Sequence, residues 1–286
     1  MTERAYLDLV QDIIDNGVDR GDRTGTGTRS VFGRQIRFDL SKGFPLLTTK
    51  KMELKSVLSE LIWFIEGSGD ERRLAEIRYG KPREELVGKT TIWTANGQAD
   101  YWKPKAQFDG DLGRVYGVQL RNWTNQYGET LDQVQQLVDG LQNDPNSRRH
   151  ILTWWNPGEL QYMSLPACHQ IAQFYVSGEK LSCMYTMRSN DFMLGQPYNT
   201  ASYALLVHML AHVCGYEPGE VIFSGGDVHL YLNHLDGARE QLTREPRPLP
   251  KLEITRAVSS IFDFKMSDFE LLDYDPHPAI KLPMAI

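Results

Sequence analysis

Two apolar runs, Ile171–Val176 and Leu181–Met187, stand either side of Ser177-Gly178-Glu179-Lys180. Runs of that length closing on a glycine-bearing turn predict a β-hairpin, which commits the fold to at least one antiparallel pair. Further strand-like runs fall at Ser30–Phe38, His150–Trp154, Val221–Phe223 and Leu252–Thr255. Helical spacing of apolar residues marks Ala5–Asn16, stopped by Gly17, and Leu131–Leu141, stopped by Asn143-Asp144-Pro145. Glu53–Ile65, ending at Gly67, and Thr200–Cys214, ending at Gly215, are apolar nearly all round and so predict buried helices. Strands gathered in the second half with helices unevenly placed predict an α+β fold. The expected form is a large mixed or antiparallel sheet flanked by helices, in a single domain over residues 1–286. At ~150 residues per domain the length allows two, but no Pro/Gly/Ser-rich linker divides the chain. The polar stretches Gly67–Lys89 and Thr94–Gly113 read as long surface loops.

Charge narrows the functional classes. Thirty-one basic against 37 acidic residues leave a net charge of −6, which argues against wholesale coating of nucleic acid but permits a local basic pocket. The N-terminal segment MTERAYLDLV is charged where an export signal needs an apolar core. The longest apolar stretch, about Ala201 to Cys214, is broken by Ser202, His208 and His212, short of a membrane span. The three scattered cysteines, Cys168, Cys183 and Cys214, suit free thiols in a reducing compartment. A cytoplasmic protein without a membrane partner is the expectation.

Several short motifs carry chemistry. Asp22–Thr28 reads DRTGTGT, yet no Gly-Lys-Ser/Thr follows and Ser30 stands where a third glycine would complete G-x-G-x-x-G. A flexible turn is the better reading, with Arg23 beside it as a candidate anion ligand. Ser147-Arg148-Arg149 and Arg188-Ser189 offer guanidinium forks with a hydroxyl, the chemistry that grips a phosphate dianion. Arg148 and Arg149 reach one phosphate only from a turn or from a partner subunit, and solvated surface arginines are the plainer alternative. In Leu165-Pro166-Ala167-Cys168-His169 the cysteine is a candidate nucleophile whose thiolate nearby arginines would favour. Cys183 and Cys214 are assigned to inert burial. His208 and His212 stand four apart on a helix, with His229 and His234 further on, but no zincin glutamate or CxxC pair accompanies them. Core histidines are expected and no metal site. Glu60 shares a helical stripe with Val57, Trp63 and Phe64, company that should raise its pKa and suit it to proton relay.

Taken together these stretches resemble the thymidylate synthase family over nearly the whole chain. The likeness runs through DRTGTGT, GFPLLTTK ending at Lys50, ELIWF around Glu60, TIW at Thr91–Trp93, GDLGRVYG at Gly110–Gly117, NDPNSRR and LPACH. It continues through RSND to GQPYN, SGGDVHLYLNH, REPRPLPKL and YDPHPAIKLPMAI. The resemblance implies methylene transfer from 5,10-methylenetetrahydrofolate to C5 of dUMP, with Cys168 adding to C6. It implies that Arg23, Arg188, Ser189 and the other subunit's Arg148 and Arg149 hold the 5′-phosphate, in a homodimer formed through the sheet with shared sites. Asn199 would read the uracil edge, where the deoxycytidylate branch has Asp. His229 and Tyr231 would hold the sugar 3′-hydroxyl. Tyr116 and Glu60 would order the waters that handle the C5 proton. Asp191 would bind the pterin and also belong to the substrate site. Trp93, Leu165, Gly195, Ala285 and Ile286 would pack over the folate, and Lys50 would face its polyglutamate tail. Pro276, Pro278 and Pro283 forbid a helix, so the C-terminus would be an extended lid.

The sequence also departs from the family pattern. Leu120 stands where a Trp is usual, Thr94 replaces an Asp, Ala167 a Pro and Met284 a Val. MRSND at Met187–Asp191 looks like the viral deoxycytidylate hydroxymethylases of the same superfamily. A dUMP 5-hydroxymethylase of a virus, acting in the host cytoplasm, is therefore the alternative: water, rather than hydride, would trap the methylene intermediate. A catalytically silent nucleotide- or RNA-binding dimer is a third reading. The charge of −6 and the presence of Cys168 and Asn199 weigh against it.

Overall fold

The computed structural model describes residues 3–284. Its first half runs α1 (Arg4–Asn16), β1 (Val18–Arg20), β2 (Thr28–Asp39), α2 (Leu54–Glu66), α3 (Glu71–Tyr79), the single turn α4 (Thr94–Gly97), α5 (Tyr116–Arg121), β3 (Trp123–Thr124), β4 (Thr130–Leu131) and α6 (Gln133–Asn143). The second half runs β5 (Ile151–Thr153), β6 (His169–Ser177), β7 (Lys180–Asp191), α7 (Gly195–Cys214), β8 (Glu217–Tyr231), α8 (Leu235–Leu242), β9 (Lys251–Ile254) and β10 (Phe269–Leu272).

The architecture is α+β, as expected. Six strands form one mixed sheet in the order β1-β2-β8-β7-β6-β5. Only β7 and β8 are parallel; every other neighbour is antiparallel. The parallel pair requires a crossover, and α7 supplies it. That helix is 20 residues long and its apolar character on all sides is explained by burial of Ala201, Ala204, Leu205, Val207, Met209 and Leu210. The hairpin of β6 and β7 turns through Gly178, whose φ of +59° suits the left-handed corner.

Three differences from the sequence reading stand out. The strand expected at Val221–Phe223 extends over 15 residues. Its Ser224-Gly225-Gly226-Asp227 centre lacks strand propensity, but β2 and β7 supply ladder partners on both edges. At Gly225 a Cβ would lie 2.4 Å from Val228 Cγ2, so close packing requires the glycine. The presumed loop 67–89 holds α3, whose start is capped by Asp70 accepting from Arg72 N at 2.9 Å and whose end is Gly80 at φ +65°. The strand near Leu252–Thr255 pairs with β10 outside the main sheet. No helix among the described residues is long and apolar enough to cross a membrane.

Candidate active site

The registers bring the candidate residues to one end of the sheet. Asp191 pairs with His229 at the carboxyl ends of the parallel strands. Tyr231 pairs with Thr28 at the start of β2, and His169 pairs with Met187 at the start of β6. Carboxyl ends of parallel strands, next to a crossover helix, are where α/β sheets commonly open a crevice. Here the crevice is a cavity of about 440 Å³. Cys168, Glu60, Tyr116, Asn199, Ser189, Asp191, Trp93, Leu165 and Gly195 all line it.

Cys168 precedes the first residue of β6, is half-buried and lines this cavity. Its backbone N–H donates to the Tyr116 hydroxyl at 2.9 Å, and its carbonyl accepts from Arg188 N at 2.9 Å. Arg188 ties the loop further: Nε donates to Ala167 O at 2.9 Å and Nη2 to Pro166 O at 3.1 Å. Its guanidinium also sits 5.1 Å from the Trp155 ring. Arg188 is thus a brace behind the cysteine and does not line the cavity. Burial pushes the Cys168 thiol up, and the Arg188 charge and Tyr116 hydroxyl only partly oppose it. The expectation of a favoured thiolate is corrected accordingly: desolvation outweighs the single guanidinium in contact.

Glu60 behaves as its helical stripe suggested. Enclosure by protein raises its pKa, against the opposing bond from Trp93 Nε1 at 2.7 Å. Trp93 lies edge-on to Tyr116 at 5.4 Å, and Tyr116 stacks on Phe64 at 5.0 Å. Asp191 Oδ1 accepts from Met193 N at 3.1 Å and Leu194 N at 3.0 Å, at the opening of α7.

A second group lies beside the cavity, off its wall. His229 is buried with Nδ1 2.9 Å from Asp227 Oδ1, edge-on to Tyr231 at 5.4 Å. Arg23 is exposed on a loop organised by Asp22, which accepts from Thr24 N at 2.9 Å and Gly27 N at 2.7 Å. Leu232 N donates to Gly27 O at 3.0 Å, which fastens that loop to the Tyr231 end of β8.

Three expectations are not met within this chain. Lys50 is buried, its ammonium held by the Met193 carbonyl, so it presents nothing to an outside tail. Burial lowers its pKa to about 8, against Asp191 and Glu3. Arg148 and Arg149 are exposed at the opposite end of the sheet. Ile151 pairs with Gln173, five residues along β6 from Cys168, and Arg149 lies two residues further out. At ~3.3 Å per residue that is roughly 23 Å, beyond an arginine's reach. Ala285 and Ile286 lie outside the described residues.

Of the departures, Leu120 is buried in the core and Ala167 is buried below Cys168, while Met284 lines the cavity. Thr94 Oγ1 donates to Glu71 Oε1 at 2.6 Å and accepts from Thr91 N at 2.8 Å. The sequence reading missed His169, Met187 and Arg78 as cavity residues. Arg78 was hidden because α3 was read as loop; His169 was legible beside Cys168. His208 and His212 serve the core: His208 packs edge-on to Phe44 at 6.0 Å, and His212 Nε2 accepts from Val258 N at 3.2 Å. Among the described residues no group of three or more His, Cys, Asp or Glu is arranged to hold a metal. Compared with known families, residues 4–286 match the family model described as thymidylate synthase.

Proposed function

The chain belongs to the thymidylate synthase family, whose activity is one-carbon transfer to C5 of a pyrimidine nucleotide, and from that premise we propose that it converts dUMP to dTMP. The observation that carries this reading is the meeting of Cys168, Glu60, Tyr116 and Asn199 on one cavity wall.

Uracil C5 is a poor nucleophile until a soft donor adds at C6. Cys168 Sγ forms that bond, and the electron pair moves to C5 and O4. The thiol proton must leave first. A dianionic nucleotide drawing arginines to the pocket would add positive charge and bring the thiol down from its raised resting state. 5,10-Methylenetetrahydrofolate supplies the methylene carbon and then a hydride, leaving as dihydrofolate. Glu60, kept protonatable by enclosure, and Tyr116 order the water that takes the C5 proton. Elimination of Cys168 then restores the ring.

Asn199 reads the base, since one amide offers a donor to O4 and an acceptor to N3–H. His229 and Tyr231 take the sugar hydroxyl. Asp191 Oδ2 is the oxygen left for the pterin, because Oδ1 is engaged by Met193 and Leu194. Arg23 and Ser189 approach the phosphate from this chain.

The working unit is a homodimer with shared sites. Ile151, Ile171, Tyr175 and Met184 leave apolar surface exposed on the outer face of β5, β6 and β7. Pairing through that face brings the partner subunit's Arg148 and Arg149 to a phosphate they cannot reach at home. The alternative product, 5-hydroxymethyl-dUMP, depends on water reaching the exocyclic methylene. Leu120 lies off the cavity wall, which removes one route for that water; half-exposed Met284 keeps another. Incubation with dUMP and methylenetetrahydrofolate, followed by mass measurement of the nucleotide, decides. An added methyl with dihydrofolate formed is expected; an extra oxygen without dihydrofolate overturns the synthase reading.

A further inference from the structure

We propose that the amide of Asn199 is locked in its uracil-reading orientation by the Met187 thioether and the buried Asn190–Gln196 pair behind it, so that preference for uracil over cytosine is set in the core. The inference rests on Asn199 as the base reader and deepens that reading.

Uracil and cytosine differ at this edge by exchange of donor and acceptor. Uracil presents O4 as acceptor and N3–H as donor; cytosine presents an N4 amine and a bare N3. A free carboxamide serves either by turning over. Discrimination therefore needs something that fixes which end is nitrogen.

Met187 does this from one side. Its sulfur receives Asn199 Nδ2 at 3.3 Å and Asn190 Nδ2 at 3.2 Å. A thioether accepts and never donates, so the oxygen end of either amide is repelled from that place. Asn190 is held in turn by a polar network through its Nδ2, its buried Oδ1 having no hydrogen-bond partner among the described residues. Its Nδ2 donates to Gln196 Oε1 at 2.9 Å, and Gln196 Nε2 donates to Tyr185 OH at 3.1 Å and Thr200 Oγ1 at 3.0 Å. Tyr185 OH and Thr200 Oγ1 are themselves 3.0 Å apart. Asn190 and Gln196 are almost wholly buried, so turning either amide strands donors in the core.

His169 fixes the other end. Burial holds it to about pKa 4, so it is a neutral ring with one N–H. Nδ1 lies 2.8 Å from the Tyr203 hydroxyl, whose proton has no other acceptor among the described residues. Tyr203 therefore donates to Nδ1, and the ring proton sits on Nε2, with His169 and Asn199 lining the same cavity. A donor there demands the amide oxygen. Sulfur on one flank and a ring N–H on the other leave one donor and one acceptor of Asn199 for the base, in the order uracil needs.

Titration calorimetry of dUMP and dCMP, without folate, tests the lock. Met187→Leu keeps the volume and removes the acceptor. Its dUMP-to-dCMP affinity ratio should fall about tenfold or more, with the melting temperature close to that of the unaltered chain. Met187→Gln, which returns an acceptor at similar reach, should recover most of the ratio, a rescue that mere packing would not give. Should Met187→Leu not fold, Asn190→Ala reads the same ratio by releasing the sulfur. An unchanged ratio in a folded variant overturns the lock while leaving Asn199 as base reader. An unaltered chain that binds neither nucleotide overturns both.

Discussion

The two ends of the six-stranded sheet are made by the same strands and serve different purposes. At the carboxyl end of β7 and β8, Asn190, His229, Gln196 and Thr200 are buried polar groups packed behind or beside a cavity. At the other end the strands finish in a tight turn at Gly178 and an exposed Arg148-Arg149 pair. Buried polar groups cost stability unless each finds a partner; the first end gathers them around a cavity, whereas at the second His150 and Gln133 are buried on backbone partners. The lesson is that substitutions should divide by route: at the first end they remove chemistry within the subunit that carries them, and at the second end they act only through the partner subunit or on stability.

The largest effect should come from Cys168→Ala. Release of the C5 proton from isotopically labelled dUMP should fall by roughly 10⁴-fold or more, while dUMP still binds. Retained exchange would remove Cys168 as the nucleophile. The double variant Arg148→Ala, Arg149→Ala comes next, with about 10³-fold loss from two missing charge-assisted bonds. If those arginines act across the dimer, mixing and re-forming the two inactive proteins should restore about a quarter of the activity, since half the dimers then hold one intact site. No recovery on mixing, with dimers demonstrably exchanged, would place the far end outside the chemistry altogether.

Glu60→Gln sharpens the same division by separating activity from stability. Turnover should drop about 10²-fold, the usual worth of a positioned acid or base. Stability should move the other way. The folded carboxyl has a raised pKa, so between its ordinary value of 4.5 and the raised one the folded state holds more protons than the unfolded. Stability therefore falls as pH rises through that window. The amide removes this loss: Glu60→Gln should melt higher than the unaltered chain at neutral pH, with the difference vanishing below pH 4.5. A variant that melts lower at neutral pH would show that the Trp93 bond, not desolvation, dominates at this position.

What could be read in the chain follows the same physics. Glu60 was legible because one helix carries it and its apolar neighbours at i−3, i+3 and i+4. The hairpin was legible because two runs and a turn are local. The long β8 was not, since its Ser224–Asp227 centre is held extended only by strands distant in sequence. Lys50 was misplaced for a related reason: its Met193 partner lies 143 residues away, and a lysine in sequence reads as surface until such a carbonyl is known. Arg188 was read as a phosphate ligand because a guanidinium matches both a phosphate and a pair of carbonyls. Only the fold shows that its Nε and Nη2 also brace Ala167 and Pro166. His169, Met187 and Asn190 stood in motifs the sequence singled out, but their roles were not legible, because these depend on which nitrogen, sulfur or oxygen faces which.

The smallest effect belongs to the turn. Gly178 has φ +59°, and a Cβ added there meets nothing within 4 Å. Gly178→Ala therefore isolates the backbone cost of a left-handed residue, about 1 kcal/mol, without clash or lost contact. In a chain of this size that lowers the melting temperature by only about 2 °C. Turnover with dUMP should stay within the error of the assay, because the β6–β7 registers run unbroken from Ile171–Thr186 to Ser177–Lys180 and absorb a change at the tip. Loss of activity at an unchanged melting temperature would mean that the turn communicates with a site, by position against a partner subunit, and that the two ends of the sheet are not independent.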